Sequence, residues 1–164
     1  TGGFTDVMLH RNARHVVALD VGRGQLDWRL RNDSRVTVME GTNARYLTPD
    51  DFPVSLRAFS CITIDVSFIS LKLILPVLPP LLAANSDIAA LVKPQFEAGR
   101  SEVGKGGIVR DPIIHARVVE EVIAAANTLG LRHMSTTASP ILGAEGNREF
   151  FLHLRDRNRT KPDA

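Results

Sequence analysis

The sequence predicts an α/β fold with a mostly parallel sheet and crossover helices. Short, continuously apolar runs alternate with amphipathic segments along the 164 residues, as expected when helices cover both faces of a parallel sheet. Apolar residues make up 44% of the chain and aromatic residues only 5%, which favours a core of small aliphatic side chains. The length is typical of one globular domain.

Four strands are predicted in the first two thirds of the chain. They are "HVVALDVG" from His15, "RVTVME" from Arg35, "CITIDVSF" and "DIAALVKPQ". Before them, "TGGFTDVMLHRNA" reads as a glycine pair that leads into a helix. In doubly wound folds such a turn follows the first strand and carries a cofactor, so we expect that first strand to be missing from the chain.

Three further helices and a terminal hairpin complete the predicted order. The helices are "GQLDWRLRN", "ISLKLILPVLPPLLAA" and "DPIIHARVVEEVIAAANTLG", the last with Asp111 as N-cap, Pro112 at the first helical position and Gly130 as C-cap. "LRHMSTTASPI" and "FFLHLR" are expected to pair as an antiparallel β-hairpin. The predicted domain is 1–155, and 156–164 is a polar basic tail.

Several functional classes are disfavoured by composition. The single Cys61 excludes a disulfide framework and favours the cytoplasm. The five histidines lack close metal-ligand spacing, so we predict no metal. No apolar stretch of about twenty residues is free of breaks, so we predict no membrane association. Sixteen arginines against four lysines suit phosphate contact, although a high-GC coding sequence would also enrich arginine.

"EAGRSEVGKGG" partly matches the phosphate-binding loop of nucleotide hydrolases. The position that needs a hydroxyl to bind Mg²⁺ is Gly106, and the next helix begins only near Pro112, so that function is disfavoured. The stretch is better interpreted as a glycine-rich basic loop near the end of a parallel strand. Its Arg100, Lys105 and Arg110 are candidates for contact with an RNA backbone.

Charged residues lie at the ends of three predicted strands and at the start of the last one. Asp20 could bind the ribose of a nucleoside or cap a helix, and the glycine pair before the first helix could hold an anionic group. Asp65 and Lys93 end consecutive strands, where they could form a structural salt bridge or a site for proton transfer. Glu149 enters the final strand and could complete that cluster.

Seven segments in order, with intact spacing, resemble the TlyA/hemolysin A family, which is related to the FtsJ group of ribosomal RNA 2′-O-methyltransferases. They are "TGGFTD", "ALDVGRGQLDWRLRND", "VMEGTNARYL", "IDVSFISLKLILP", "LVKPQFEAGR", "VGKGGIVRD" and "SPILGAEGN". The resemblance covers nearly the whole chain. It implies a Rossmann-like fold that binds S-adenosyl-L-methionine and transfers its methyl group, without a metal, to a ribose 2′-hydroxyl of rRNA or a ribosomal subunit.

The resemblance also implies a Lys-Asp-Lys-Glu catalytic tetrad, whose last three members match Asp65, Lys93 and Glu149. In the family the first lysine and an S4-like RNA-binding domain lie upstream, so both are expected outside this chain. Gly41 and Leu142 stand where the family usually has a basic residue, which should weaken RNA contacts. The implied cofactor contacts are Gly2, Gly3, Phe4, Asp20, Val21, Asn43 and Asp65.

Two other functions remain open from the residues. Because one tetrad lysine and part of the cofactor motif have no counterpart, the chain could be an inactive fragment or a module that binds RNA or a nucleotide. The older family name suggests a cytolysin, against which the lack of a signal peptide and of a membrane-spanning pattern argues.

Overall fold

The computed structural model describes residues 2–156 and divides between Leu47 and Thr48 into two compact units. The predicted tail therefore lies outside the described residues, except for Asp156 at the end of the last strand. Among the described residues, no helix is long and apolar enough to cross a membrane.

The first unit contains two helices and two parallel strands: α1 (Gly3–His10), β1 (Val16–Asp20), α2 (Trp28–Arg31) and β2 (Val36–Glu40). The strands pair in register from Val16 with Val36 to Asp20 with Glu40. The core of the unit is formed by Leu9, Val16 and Leu30, which lie on three successive elements. The predicted opening helix and both strands are confirmed.

The second unit is built on a four-stranded sheet in the order β3-β4-β6-β5. Its strands are β3 (Phe59–Ile64), β4 (Leu82–Val92), β5 (Leu131–Ala138) and β6 (Phe150–Asp156). β3 and β4 pair in parallel, and β6 is antiparallel to both β4 and β5, which confirms the predicted hairpin. β4 is central, and Ile88, Ala90 and Val92 on it are fully buried.

The predicted helix at 69–84 is wrong. The segment forms three consecutive 3₁₀ turns, Leu71–Leu73, Leu75–Val77 and Pro79–Leu81, and its last residues already belong to β4. The backbone hydrogen bonds run from residue i to i−3, for example from Leu78 N to Leu75 O at 3.1 Å. Three prolines remove backbone donors and obstruct the preceding turn, so a continuous α-helix cannot form.

α4 (Pro112–Thr128) covers the second unit's core and follows the predicted pattern. The Asp111 carboxylate accepts a hydrogen bond from Ile113 N at 2.8 Å, and Gly130 adopts the left-handed conformation with φ 78° just after the helix. Its buried face recurs at helical spacing and consists of His115, Val118, Val119, Val122, Ile123 and Ala126. A short helix, α3 (Pro94–Glu97), directly follows β4 and Lys93.

Replacement of the α4 N-cap offers a test of this helix. We expect Asp111→Ala to lower the free energy of unfolding by about 0.5–2 kcal/mol, because the Ile113 N–H loses its acceptor. Asp111→Asn keeps a side-chain oxygen at that place and serves as the matched control. Chemical denaturation of both variants measures the difference, and an equal stability of the two would contradict the cap.

Candidate active site

The sheet register brings three charged residues to one edge of the second unit. Asp65 directly follows β3 and Lys93 directly follows β4, and parallel strands end at the same edge. β6 runs in the opposite direction and begins there, because Phe150 pairs with Val92. Glu149 precedes Phe150 and therefore enters the same edge.

Lys93 is the centre of this cluster. Its Nζ lies 2.7 Å from Asp65 Oδ1 and donates a hydrogen bond to Ser67 Oγ at 3.0 Å. The Lys93 side chain is only 14% exposed, whereas the Asp65 side chain is 47% exposed. The amine is thus held by two oxygen acceptors from one loop, while the carboxylate remains open to solvent.

Glu149 is a buried carboxylate beside that pair. Burial raises its pKa; the charge of Lys93 and a hydrogen bond from Gln95 reduce the rise, and the charge of Asp65 adds to it. The carboxylate lies against the backbone of Gly143, where a β-carbon would clash with it. A glycine at 143 is therefore required for Glu149 to occupy this position.

An exposed aromatic ring lies in the same loop as Asp65 and Ser67. Phe68 is 90% exposed and has φ 63°, a left-handed conformation that is strained for a bulky residue. Its ring lies 5.0 Å from the ring of Phe96, measured between centroids. Sequence reasoning missed Phe68, although an aromatic residue in a polar loop just after a strand was a usable signal.

The glycines at the start of α1 in the first unit have different physical roles. Gly2 has φ 111°, a backbone conformation that strains other residues, and a β-carbon there would lie 2.6 Å from Leu26 Cδ1 and 2.7 Å from Leu30 Cδ1. Backbone conformation and packing therefore both favour glycine. At Gly3 a β-carbon would meet no atom within 4 Å. The open space at Gly3, on a helix N-terminus, is consistent with the approach of a ligand.

The other predicted cofactor residues of this unit lie near strand ends. Asp20 ends β1 with an exposed carboxylate whose Oδ1 accepts a hydrogen bond from Gly22 N at 2.7 Å. Val21 is 71% exposed, and the Asn43 side chain caps the next turn by accepting from Arg45 N at 3.0 Å. Phe4 lies half-buried in the first turn of α1.

Arg23 accounts for the glycine at position 41. Gly41 has φ 67°, and a β-carbon there would lie 3.0 Å from Arg23 Nη2. The guanidinium of Arg23 therefore occupies the space over a position where the family resemblance led us to expect a basic side chain. A cationic group is present at this turn even though residue 41 is glycine.

The three predicted RNA-binding residues are exposed on the segment between α3 and α4. Arg100 begins a 3₁₀ turn that ends at Glu102, whose carboxylate is bound to Arg117 of α4 at 2.6 Å. Lys105 lies in a turn closed by the Gly104 N to Ile108 O hydrogen bond at 2.9 Å. The Arg110 guanidinium lies beside that same turn, close to Gly104.

Asn147, which sequence reasoning also missed, joins this basic loop to the turn before Glu149. The residue is 2% exposed; its Oδ1 accepts from Val109 N at 3.1 Å, and its Nδ2 donates to Gly107 O at 2.9 Å. His115 reinforces the connection through a 2.7 Å hydrogen bond between Nε2 and Val109 O. Only the folded chain reveals this role, because the partners lie about forty residues away in sequence.

The family model of FtsJ-like methyltransferases matches residues 1–156. The chain belongs to the FtsJ-like methyltransferase family. It is 52% identical over 155 residues to the 16S/23S rRNA (cytidine-2′-O)-methyltransferase TlyA of Mycobacterium tuberculosis, covering 94% of this chain and 57% of that protein. It is 56% identical over 154 residues to YqxC of Bacillus subtilis and 42% identical over 154 residues to Hemolysin A of Brachyspira hyodysenteriae.

The alignments with YqxC and Hemolysin A each include 94% of this FtsJ-like chain, but only 54% of YqxC and 63% of Hemolysin A. It therefore spans little more than half the length of these relatives. The predicted resemblance to the TlyA/hemolysin A family is confirmed.

Solved structures confirm the fold of this FtsJ-like domain. A hemolysin-named protein of Lactococcus lactis superposes with a TM-score of 0.90 at 52% identity, covering 94% of this chain and 73% of that one. The N-methyltransferase NodS of Bradyrhizobium japonicum, in complex with S-adenosyl-L-homocysteine, superposes with a TM-score of 0.61 at 12% identity, covering 94% and 72%. The second likeness shows the Rossmann-like methyltransferase fold alone.

Alanine replacements of the two opening glycines should separate packing from ligand binding. We expect Gly2→Ala to lower the free energy of unfolding by about 1–3 kcal/mol through the clash with Leu26 and Leu30. Gly3→Ala should leave stability unchanged or slightly higher, since alanine favours the helix, but should weaken S-adenosylmethionine binding measured by calorimetry. Full cofactor affinity in Gly3→Ala would argue against ligand approach at this position.

The buried Glu149 should make stability depend on pH. Its pKa in the folded protein is raised above 4.5, so its stabilising contribution is present below that value and is lost as pH rises through the folded-state pKa. We therefore expect Glu149→Gln to raise the free energy of unfolding, by an amount that grows between about pH 4 and pH 7. Urea denaturation across this pH range measures the free energy of unfolding, and replacement of the exposed Glu120 by Gln is the control. An increase in stability that does not depend on pH would contradict the raised pKa of Glu149.

Proposed function

We propose that this chain is the methyltransferase domain of an S-adenosylmethionine-dependent enzyme that methylates a ribose 2′-hydroxyl of rRNA, in the cytoplasm. The observation that carries the proposal is the Lys93–Asp65 ion pair beside the buried Glu149 at one sheet edge. These residues match three members of the tetrad implied by the family resemblance. The TlyA relative is named as an enzyme of the same reaction class, a 16S/23S rRNA (cytidine-2′-O)-methyltransferase.

The first unit offers groups that fit S-adenosylmethionine. The exposed Asp20 carboxylate at the end of β1 suits ribose hydroxyls, and the open backbone at Gly3 suits an anionic group of the cofactor. Val21 and Asn43 are the further contacts that we propose there, with Phe4 on α1. When bound, S-adenosylmethionine supplies an electrophilic methyl group; Asp65 is also assigned to its methionine end by the resemblance.

Lys93 is the residue that we propose to take the proton from the attacking 2′-hydroxyl. In the ion pair the Lys93 amine carries a proton, which it first releases to solvent. The neutral amine then accepts the proton of the 2′-hydroxyl, and the ammonium that results is stabilised by Asp65, 2.7 Å away. Ser67 fixes a second direction around Nζ at 3.0 Å. Holding the amine in one orientation supplies part of the rate enhancement, because the hydroxyl then meets a base that is already positioned.

Glu149 supports this step through its charge and its burial. A buried carboxylate near Lys93 attracts the proton that arrives on the amine, and the raised pKa of Glu149 indicates how strongly its own surroundings disfavour an isolated negative charge. The two carboxylates thus act on one lysine from different environments. Asp65 is exposed towards solvent and substrate, whereas Glu149 lies within the domain.

The surface around the pair suits RNA. The exposed ring of Phe68, three residues after Asp65, offers a face on which a base can stack. Arg100, Lys105 and Arg110 are exposed cations on the segment that Asn147 ties to the turn before Glu149. We therefore propose rRNA or a ribosomal subunit as the partner, with these cations on its phosphate backbone.

The proposal is tested by replacing Lys93 in the complete gene product. We expect Lys93→Ala to lower the turnover number for methylation of rRNA by about 10²–10⁴-fold, because the hydroxyl loses its base. S-adenosylmethionine affinity, measured by calorimetry, should persist. Lys72→Ala is the matched control, since Lys72 also forms an ion pair, with Glu121 at 3.0 Å, but lies outside the cluster.

Two results would overturn this function. One is methylation by Lys93→Ala at the rate of the Lys72→Ala control. The other is an absence of ribose methylation by the wild-type protein on rRNA taken from cells that lack the gene, when S-adenosylmethionine binds normally.

A further inference from the structure

We propose that Glu97 is a positioning residue that holds the Asp65 loop against Lys93; this rests on the proposed function, in which that pair moves the proton. Glu97 is the last residue of α3, four residues after Lys93. Its carboxylate accepts hydrogen bonds from Ser70 Oγ and from Leu71 N, both at 2.6 Å. Each of its oxygens is thereby bound to the segment that follows Asp65.

The pairing of β3 with β4 does not reach the catalytic pair. The last paired residues are Ile64 and Ala90, so Asp65 and Lys93 both lie beyond the ladder on irregular backbone. The strand register brings the two segments to one edge of the sheet, and side-chain contacts join them beyond the paired residues. A shift of about 1 Å in a catalytic group can cost about a hundredfold in rate, which makes the distance between Asp65 and Lys93 functionally sensitive.

Three side chains of the segment 93–97 contact the segment 65–71, in chain order. Lys93 meets Asp65 at 2.7 Å, and the ring of Phe96 lies 5.0 Å from the ring of Phe68. Glu97 is the third of these side chains, and it contacts Ser70 and Leu71. The first contact includes the half-exposed Asp65, and the second contains a ring that is 90% exposed, so both face solvent. Glu97 is only 8% exposed and provides the buried anchor.

The chemistry of Glu97 suits an anchor. A buried carboxylate is costly unless hydrogen bonds satisfy it, and here both oxygens are satisfied by short bonds. Ser70 Oγ also accepts from Lys72 N at 3.1 Å, which links the anchor to the 3₁₀ turn Leu71–Leu73. Burial raises the pKa of Glu97, and the hydrogen bonds from Ser70 and Leu71 reduce that rise.

The experiment compares Glu97→Ala, Glu97→Gln and Ser70→Ala in the complete gene product, with Ser86→Ala as matched control. Ser86 is fully buried and donates to Ala83 O in the opposite half of β4, so its loss also removes a buried hydrogen bond. Readouts are kcat, KM for S-adenosylmethionine, thermal stability, and hydrogen exchange of residues 65–71. Exchange requires no activity.

We expect Glu97→Ala to lower kcat by about 10–100-fold with KM for S-adenosylmethionine unchanged, because the pair loses its alignment. Hydrogen exchange of the backbone amides of residues 65–71 should become faster in this variant, because the loop loses its anchor. Glu97→Gln should recover most of kcat, since its amide oxygen can accept from Leu71 N while its amide nitrogen donates to Ser70 Oγ. The kcat of Ser70→Ala should lie between the values of these two variants. If Glu97→Ala does not fold, Ser70→Ala is used for the test in its place.

The proposal is overturned if Glu97→Ala, or Ser70→Ala in its place, loses stability but keeps the kcat of Ser86→Ala, because Glu97 would then be purely structural. Unchanged exchange of 65–71 in these variants overturns it as well. Failure of the wild-type protein to methylate RNA would instead reject the proposed function, while the exchange measurement would still decide whether Glu97 anchors this loop.

Discussion

The site depends on the register with which β4 pairs on its two sides. Ala90 opposite Ile64 sets where Asp65 leaves the sheet, and Val92 opposite Phe150 sets where Glu149 enters it. A one-residue slip on either side would move a carboxylate by about 3.3 Å and turn it to the other face. Fully buried aliphatic residues on β4 and β6 fix this register, because a slip would expose them. The packing of the core therefore also fixes where these charged residues lie.

The register brings Asp65, Lys93 and Glu149 together, but the side chains of these residues differ in their exposure to solvent. The Lys93 side chain is mostly buried and contacts the exposed carboxylate of Asp65, and the charge of Lys93 also lowers the pKa of the buried Glu149. Asp65 can be solvated when its partner changes protonation state, whereas Glu149 depends on Lys93 and Gln95 for compensation. Because the charge of Lys93 lowers the pKa of Glu149, the loss of that charge would raise this pKa further.

Sequence reasoning predicted the parts of this arrangement that follow from periodicity. Continuous apolar runs marked β3 and β4, so Asp65 and Lys93 could be assigned to one edge, and the hairpin pattern added Glu149. The 3₁₀ turns after Asp65 were predicted as a helix because spacing alone outweighed the three prolines. Glu97 and Asn147 escaped prediction because their partners are distant in sequence. Polar side chains that bind remote backbone leave no periodic signal.

Asn147 connects the loop that we propose to contact RNA to the turn that precedes Glu149. Its amide holds the backbone on both sides of Ile108, and Glu149 follows it by two residues. If phosphate contacts at Lys105 or Arg110 moved the glycine-rich turn, the displacement would be transmitted through buried hydrogen bonds to the segment that places Glu149 against Gly143. The glycines at 104, 106 and 107 let that turn adopt its backbone, while Asn147 limits how far it can depart from the catalytic edge.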